Sequence, residues 1–229
     1  RKRELAGILA TQGKTGEAEL LARQALQETM ARTGKNTLST ALAIGTLCSI
    51  KLQQGETADA LRLRELSITA LEDSGSRSYS TMMGDMRAQL GFLLGVQNRW
   101  AEALKVYERR ARDLRGNAAQ FAETGSRTLI DWAMALQKNQ RGEEAEKMLR
   151  ALVDYNLKKP FVDPLYVAHL QGYHAVSLLA AGKNRDALAE FREAFPVLIR
   201  QAETDSSSEN GGFVRQYRLR LIAEGYLEL

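Results

Sequence analysis

Histidine, cysteine and a lysine-threonine pair are the side chains through which this chain could do chemistry, and their spacing argues against it in each case. The two histidines, His169 and His174, stand five residues apart. Two metal ligands on one helix need a spacing that shares a face. Five residues turn the side chains about 140° apart. His174 is expected in the core, and His169 on the other face, at a surface or groove. Cys48 is the sole cysteine, which excludes an internal disulfide and a thiolate zinc cage. It reads as a small core residue, with no histidine nearby to activate it. Gly13-Lys14-Thr15-Gly16 has the residue types of a phosphate loop. It lacks the preceding strand and the longer glycine spacing, so it reads as a turn between helices. No catalytic residue, metal or cofactor is expected.

The elements that position these residues repeat. An acidic residue followed by alanine occurs at Glu17-Ala18, Asp59-Ala60, Glu102-Ala103, Glu144-Ala145 and Asp186-Ala187, giving alanine spacings of 42, 43, 42 and 42. A period of that size means stacked units. Twelve residues before each alanine stand Ala6, Cys48, Gly91, Ala133 and Ala175, all small. Thirteen before stand Leu5, Leu47, Leu90, Trp132 and His174, and nine before stand Leu9, Lys51, Leu94, Leu136 and Leu178. Small and large residues on one helical face let two helices approach and interdigitate. Four residues after the alanine come Ala22, Arg64, Tyr107, Leu149 and Phe191, a second stripe at helical spacing.

Each repeat therefore reads as a helix pair. The pattern predicts helices at 3–12 and 17–31, 39–53 and 58–71, 81–96 and 100–114, 122–138 and 143–157, and 164–181 and 185–203. Asp163-Pro164 is a helix start, its carboxylate free to cap and its proline at the first helical position. Pro196 should kink the tenth helix or end its regular part. Residues 204–212 are polar and glycine-ended, read as a flexible loop. Residues 213–229 turn helical again, apolar on two sides and in need of cover on both. Were this a sixth repeat, Arg218 would hold the place of the small residues, so looser packing is expected there.

A small residue, seven more to the turn glycine or its substitute, five more to an alanine, then an aromatic or leucine four on: this pattern resembles the tetratricopeptide repeat over residues 1–203. The 42-residue period is similar to the lengthened units of kinesin light chains and many bacterial regulators. The resemblance implies an all-α fold, a right-handed α-α superhelix of five helix pairs, the first truncated, plus a C-terminal capping or connecting helix. It also implies a scaffold for protein binding. Kinesin-type units carry an asparagine ladder, and the matching positions here are Thr46, Gln89, Asp131 and Tyr173. The lysine-asparagine set of the carboxylate clamp in chaperone-binding relatives has no match. The run from Arg218 to Leu227 is similar to the helix that joins such arrays to caspase-like CHAT peptidases, which makes an adjacent catalytic domain of the same chain a candidate partner.

Stacked pairs leave a row of first-helix residues on an inner face, the usual ligand surface of solenoids. Helical phase places Asp85, Gln89 and Phe92 there in the third repeat, Arg127, Asp131, Met134 and Lys138 in the fourth, and His169, Tyr173 and Val176 in the fifth. Mixed charge with scattered aromatics suits an extended peptide or a docked helix. Arg127 and Asp131, one turn apart, equally suit a helix-stabilising pair. The net charge of +4 leaves nucleic acid as an alternative partner, with Arg109, Arg110, Arg112 and Arg115 as the densest basic cluster. Acidic residues among them favour a solvated face. No apolar run is long enough to span a membrane. The lone cysteine fits a reducing compartment, so a cytoplasmic chain is expected, although a removed secretory signal would leave no trace.

Overall fold

The structure, a computed structural model, describes residues 1–75, 81–113, 126–206 and 212–229, with side chains at all of these except 81, 113, 126, 127 and 204–206. Among the described residues the chain is all-α and without strands. Its helices are α1 (Lys2–Thr11), α2 (Thr15–Thr33), α3 (Leu38–Gln53), α4 (Thr57–Asp73), α5 (Thr81–Val96), α6 (Trp100–Asp113), α7 (Ser126–Lys138), α8 (Gly142–Leu157), α9 (Pro164–Ala180), α10 (Asn184–Ser206) and α11 (Phe213–Leu227). They form five pairs plus a C-terminal helix. The expected break at Gly116-Asn117 and the residues from 122 to 125 lie outside the described residues. So does 207–211 of the expected loop.

One backbone device makes every pair. The residue five before each anchor alanine has positive φ: Gly13 at 81°, Gly55 at 78°, Asn98 at 59°, Gln140 at 62° and Gly182 at 74°. This left-handed residue ends the first helix. The next amide then donates back to the carbonyl of the residue five positions earlier, as Lys14 does to Leu9 at 3.0 Å and Lys183 to Leu178 at 2.9 Å. The second helix begins two residues past the turn residue in all five repeats. The Asp163 carboxylate caps α9 by accepting from Leu165 N at 3.0 Å. Pro196 does not end α10, which runs through it to Ser206. Ala194 and Leu198, both buried, hold the helix on either side of the proline.

The five anchor alanines are each 0% exposed, which leaves no room for a larger side chain. The small row twelve residues upstream is buried as well. At Gly91 a Cβ would lie 2.5 Å from Tyr107 Cζ, so the missing side chain is what admits the tyrosine ring four residues past Ala103. Lys51, in a row otherwise of leucines, is buried between Glu19 and Glu56, at 2.8 Å from each. Lys51, then Gln54, hold the Glu19 carboxyl down at about 2.

Neighbouring pairs are joined by a row of side-chain amides six residues before the anchor alanine. Gln54 Nε2 donates to Glu19 at 3.0 Å and reaches the Thr15 carbonyl at 3.5 Å. Gln97 Nε2 donates to Thr57 Oγ1 at 2.6 Å, and Asn139 Nδ2 to the Trp100 carbonyl at 3.1 Å. Thr15, Thr57 and Trp100 are each the first residue of a second helix. In the last repeat this row holds Ala181, and the corresponding first residue is Gly142. A Cβ on Gly142 would stand 2.6 Å from the Ala180 carbonyl oxygen, so close backbone approach replaces the amide.

The chain divides into two compact units. The N-terminal unit comprises Arg1–Arg99, Lys105–Arg115 and Gly212–Val214; the C-terminal unit comprises Trp100–Leu104, Gly116–Gly211 and Arg215–Leu229. In the former, one apolar cluster joins Ala6, Ala18, Ala22, Leu47 and Ile50, and a second joins Ala41, Ile68, Leu71, Met83 and Met86.

Candidate functional site

The reactive residue types are used for packing. Cys48 is 1% exposed and its thiol donates to the carbonyl of its own anchor, Ala60, at 3.2 Å. Burial pushes the thiol pKa up, and Arg64 offsets part of that rise. His174 is buried with Nδ1 3.2 Å from Glu190, and its Nε2 lies 3.6 Å from Glu146. Burial raises the Glu146 carboxyl, but Lys183 and Arg150 outweigh it and hold the group below the usual range. Among the described residues no group of three or more His, Cys, Asp or Glu side chains could hold a metal ion. No described helix is long and apolar enough to cross a membrane.

In the N-terminal unit the row corresponding to the asparagine ladder is open. Thr46 is half-buried and Gln89 exposed. Both line a cleft of about 430 Å³ between α3 and α5, shared with Ser49, Arg64, Asp85 and Met86. Asp85 is exposed and stands 3.6 Å from Arg110. Phe92 is half-buried. Arg64 was not legible as a site residue, because it falls in a stripe whose other members are Ala22, Tyr107, Leu149 and Phe191. A charged residue at an apolar packing position is the signal that could have found it.

In the C-terminal unit the same row is covered by the chain itself. Arg218 Nη2 donates to both carboxylate oxygens of Asp131, at 3.0 and 2.8 Å. Tyr173 is 1% exposed, and burial raises its phenol pKa, with Asp131 and Tyr217 adding to the rise. Met134 and Val176 are buried as well. His169 is half-buried with Nδ1 2.8 Å from the Leu165 carbonyl oxygen, and burial lowers its pKa, with Arg218 and Arg215 acting in the same direction. Lys138 is exposed. The Arg127 side chain lies outside the described residues.

The cover is α11, and it is seated tightly. A Cβ on Gly172 would lie 2.8 Å from Ile222 Cγ2, and one on Gly225 would lie 2.6 Å from Val176 Cγ2. Ile222 is 0% exposed. Tyr226 packs edge-on against Phe191 and Phe195, ring centroids 5.3 and 4.7 Å away. The looser packing expected at Arg218 is therefore not found. Its guanidinium reaches the Asp131 carboxylate, and Gly225, one row along, makes the close approach instead.

No family model matches the chain, and no curated protein does. Solved structures do. A crystal structure of a kinesin light chain with nearly identical TPR-like repeats from Podosopora anserina superposes with a TM-score of 0.70 at 18% identity, covering 88% of this chain and 95% of that one. BtubC (BKLC) from P. vanneervenii gives 0.67 at 17% identity, with 87% and 78% covered. YrrB, a TPR protein described as having an unusual peptide-binding site, gives 0.57 at 17% identity, with 86% and 84% covered.

Proposed function

Starting from a chain whose fold is a tetratricopeptide array of the kinesin-light-chain-like kind, we propose that it is a non-catalytic protein-interaction scaffold. It serves as a regulatory or sensor region, gripping a peptide or helix of a partner on its inner first-helix row. The observation that carries this is internal. The row bearing Asp131 and Tyr173 already holds a helix, α11, through an ion pair and two glycine-scale approaches, and an aromatic cluster with α10 fixes its far end. The equivalent row at Thr46 and Gln89 lies at the same place in its repeats and is open. A surface of this type recognises a helix by anchors one or two turns apart. The peptide-binding site of YrrB is consistent with such a use of the fold.

The test is to pan the full chain against a displayed library of random twelve-residue peptides. Wild type is expected to enrich one related set of sequences. Gln89→Trp, which fills the cleft from an exposed position, is expected to lose that set while melting at the wild-type temperature. Failure of wild type to enrich any set, or an unchanged set on Gln89→Trp, would overturn the reading.

A further inference from the structure

The cleft in the N-terminal unit contains a buried cation without a matching carboxylate. Arg64 is 4% exposed, and among the described residues its Nε has no hydrogen-bond partner. Among the described residues no carboxylate forms an ion pair with it, and its polar neighbour is the Cys48 thiol. The other buried arginines of this unit differ. Arg87 bonds Glu72 at 3.0 Å, and Arg110 stands 3.6 Å from Asp85. Lys51 likewise has two glutamates. Burying an unpaired guanidinium is costly, and the other four repeats use apolar residues in this slot. Gly45 lies beside it, where a Cβ would stand 3.4 Å from Arg64 Nη1.

We propose that Arg64 is the anchor of an anion subsite, and that it takes a single carboxylate, the side chain of an Asp or Glu in a bound peptide. This rests on the peptide-binding reading above and specifies its chemistry. Arg64 lines the cleft together with Thr46, Ser49 and Gln89, which are neutral. The hydroxyl protons of Thr46 and Ser49 are already donated to the Leu42 and Gly45 carbonyls, so these oxygens offer lone pairs to peptide amides. The guanidinium is the cationic donor there, the one whose hydrogen bonds to an acid are charge-assisted. Asp85 borders the same cleft, and its charge disfavours a dianion. A carboxylate satisfies one guanidinium; a phosphate dianion or a nucleic-acid backbone would call for further cations.

The peptide recovered by panning wild type supplies the probe. It is expected to carry Asp or Glu at one fixed position. Changing that residue to its amide, or Arg64→Gln in the protein, should each weaken binding in fluorescence polarisation by about 10- to 100-fold. The two changes together should weaken it no further than either alone. Arg64→Lys should retain part of the affinity. The melting temperature of Arg64→Gln should equal or exceed that of wild type, since no internal ion pair is lost. Enriched peptides with no acidic position, or losses that add, would overturn the Arg64 subsite while leaving the groove reading intact. A phosphoserine analogue that binds more than about tenfold tighter than the glutamate peptide would also overturn it, as would displacement of the peptide by a short RNA. A large fall in the melting temperature of Arg64→Gln would assign the residue to stability instead. Absence of any enriched peptide would remove the groove reading first.

Discussion

The ladder row has two fates in this molecule. At Thr46 and Gln89 it borders an open cleft, whereas at Asp131 and Tyr173 it is closed over by α11. Repeat geometry is the same in both places: equal turn conformation, equally buried anchor alanines and matching helix starts. What differs is the residues at the row and the presence of glycines where a helix must come close. Gly172 of α9 admits Ile222 of α11, and Gly225 of α11 admits Val176 of α9. Repetition supplies the surface, and a few substitutions on it decide whether it is filled.

Breaking the filled side should give the largest effect. Gly225→Val would drive a branched side chain into Val176, 2.6 Å from the added Cβ, at a cost of about 3 kcal/mol. Amides of 213–227 should lose hydrogen-exchange protection, and the Tyr173 phenol should titrate nearer its ordinary value. Retained protection would mean that glycine is not what seats the helix. Removing the charge contact is milder. Arg218→Gln should cost about 1–2 kcal/mol and raise proteolytic cleavage within α11, with wild type moving toward the variant at high salt.

On the open side, acid should act through Glu19. Glu19 titrates at about 2, held down by Lys51 and Gln54. A depressed carboxylate contributes stability that is whole above its unfolded value of about 4.5 and gone once the pH has fallen below about 2. Wild type should therefore exceed Glu19→Gln by about 1 kcal/mol at neutral pH, allowing for solvent screening, and the gap in melting temperature should close on acidification. A gap independent of pH would exclude the Lys51 pair as its source. The smallest effect is a gain. Gln140 occupies the left-handed turn at φ 62° where Gly13 and Gly55 stand in other repeats. Gln140→Gly should stabilise by up to about 1 kcal/mol, visible as a rise of a few degrees in thermal melting.

The fold was legible because its period is written in residue size. Ala18 and its four counterparts, with the small row from Ala6 to Ala175, mark the seams directly. The turn residues were legible as punctuation, though only coordinates reveal that Asn98 and Gln140 adopt the glycine geometry. Helix ends moved by up to a few residues, as α10 shows by reaching Ser206 where the polar composition suggested a loop from residue 204. The candidate site was read only in part. Helical phase put Asp131 and Tyr173 on one row, and α11 meets Asp131 there through Arg218, but phase is blind to what a distant segment of chain will cover. Arg64 and Lys51 escaped notice for the opposite reason, since a lone charge in an apolar stripe looks like noise until its neighbours are known.

The amide row also explains how the array absorbs an irregular spacing. Gln54 and Asn139 lie 39 residues beyond the main-chain oxygen they reach, whereas Gln97 lies 40 beyond Thr57. The extra residue of the second interval, from Ala60 to Ala103, falls inside that span. There the acceptor is the threonine hydroxyl instead of a peptide oxygen. A joint able to change acceptor in this way keeps two repeats coupled across one added position, as Gln97 and Thr57 do.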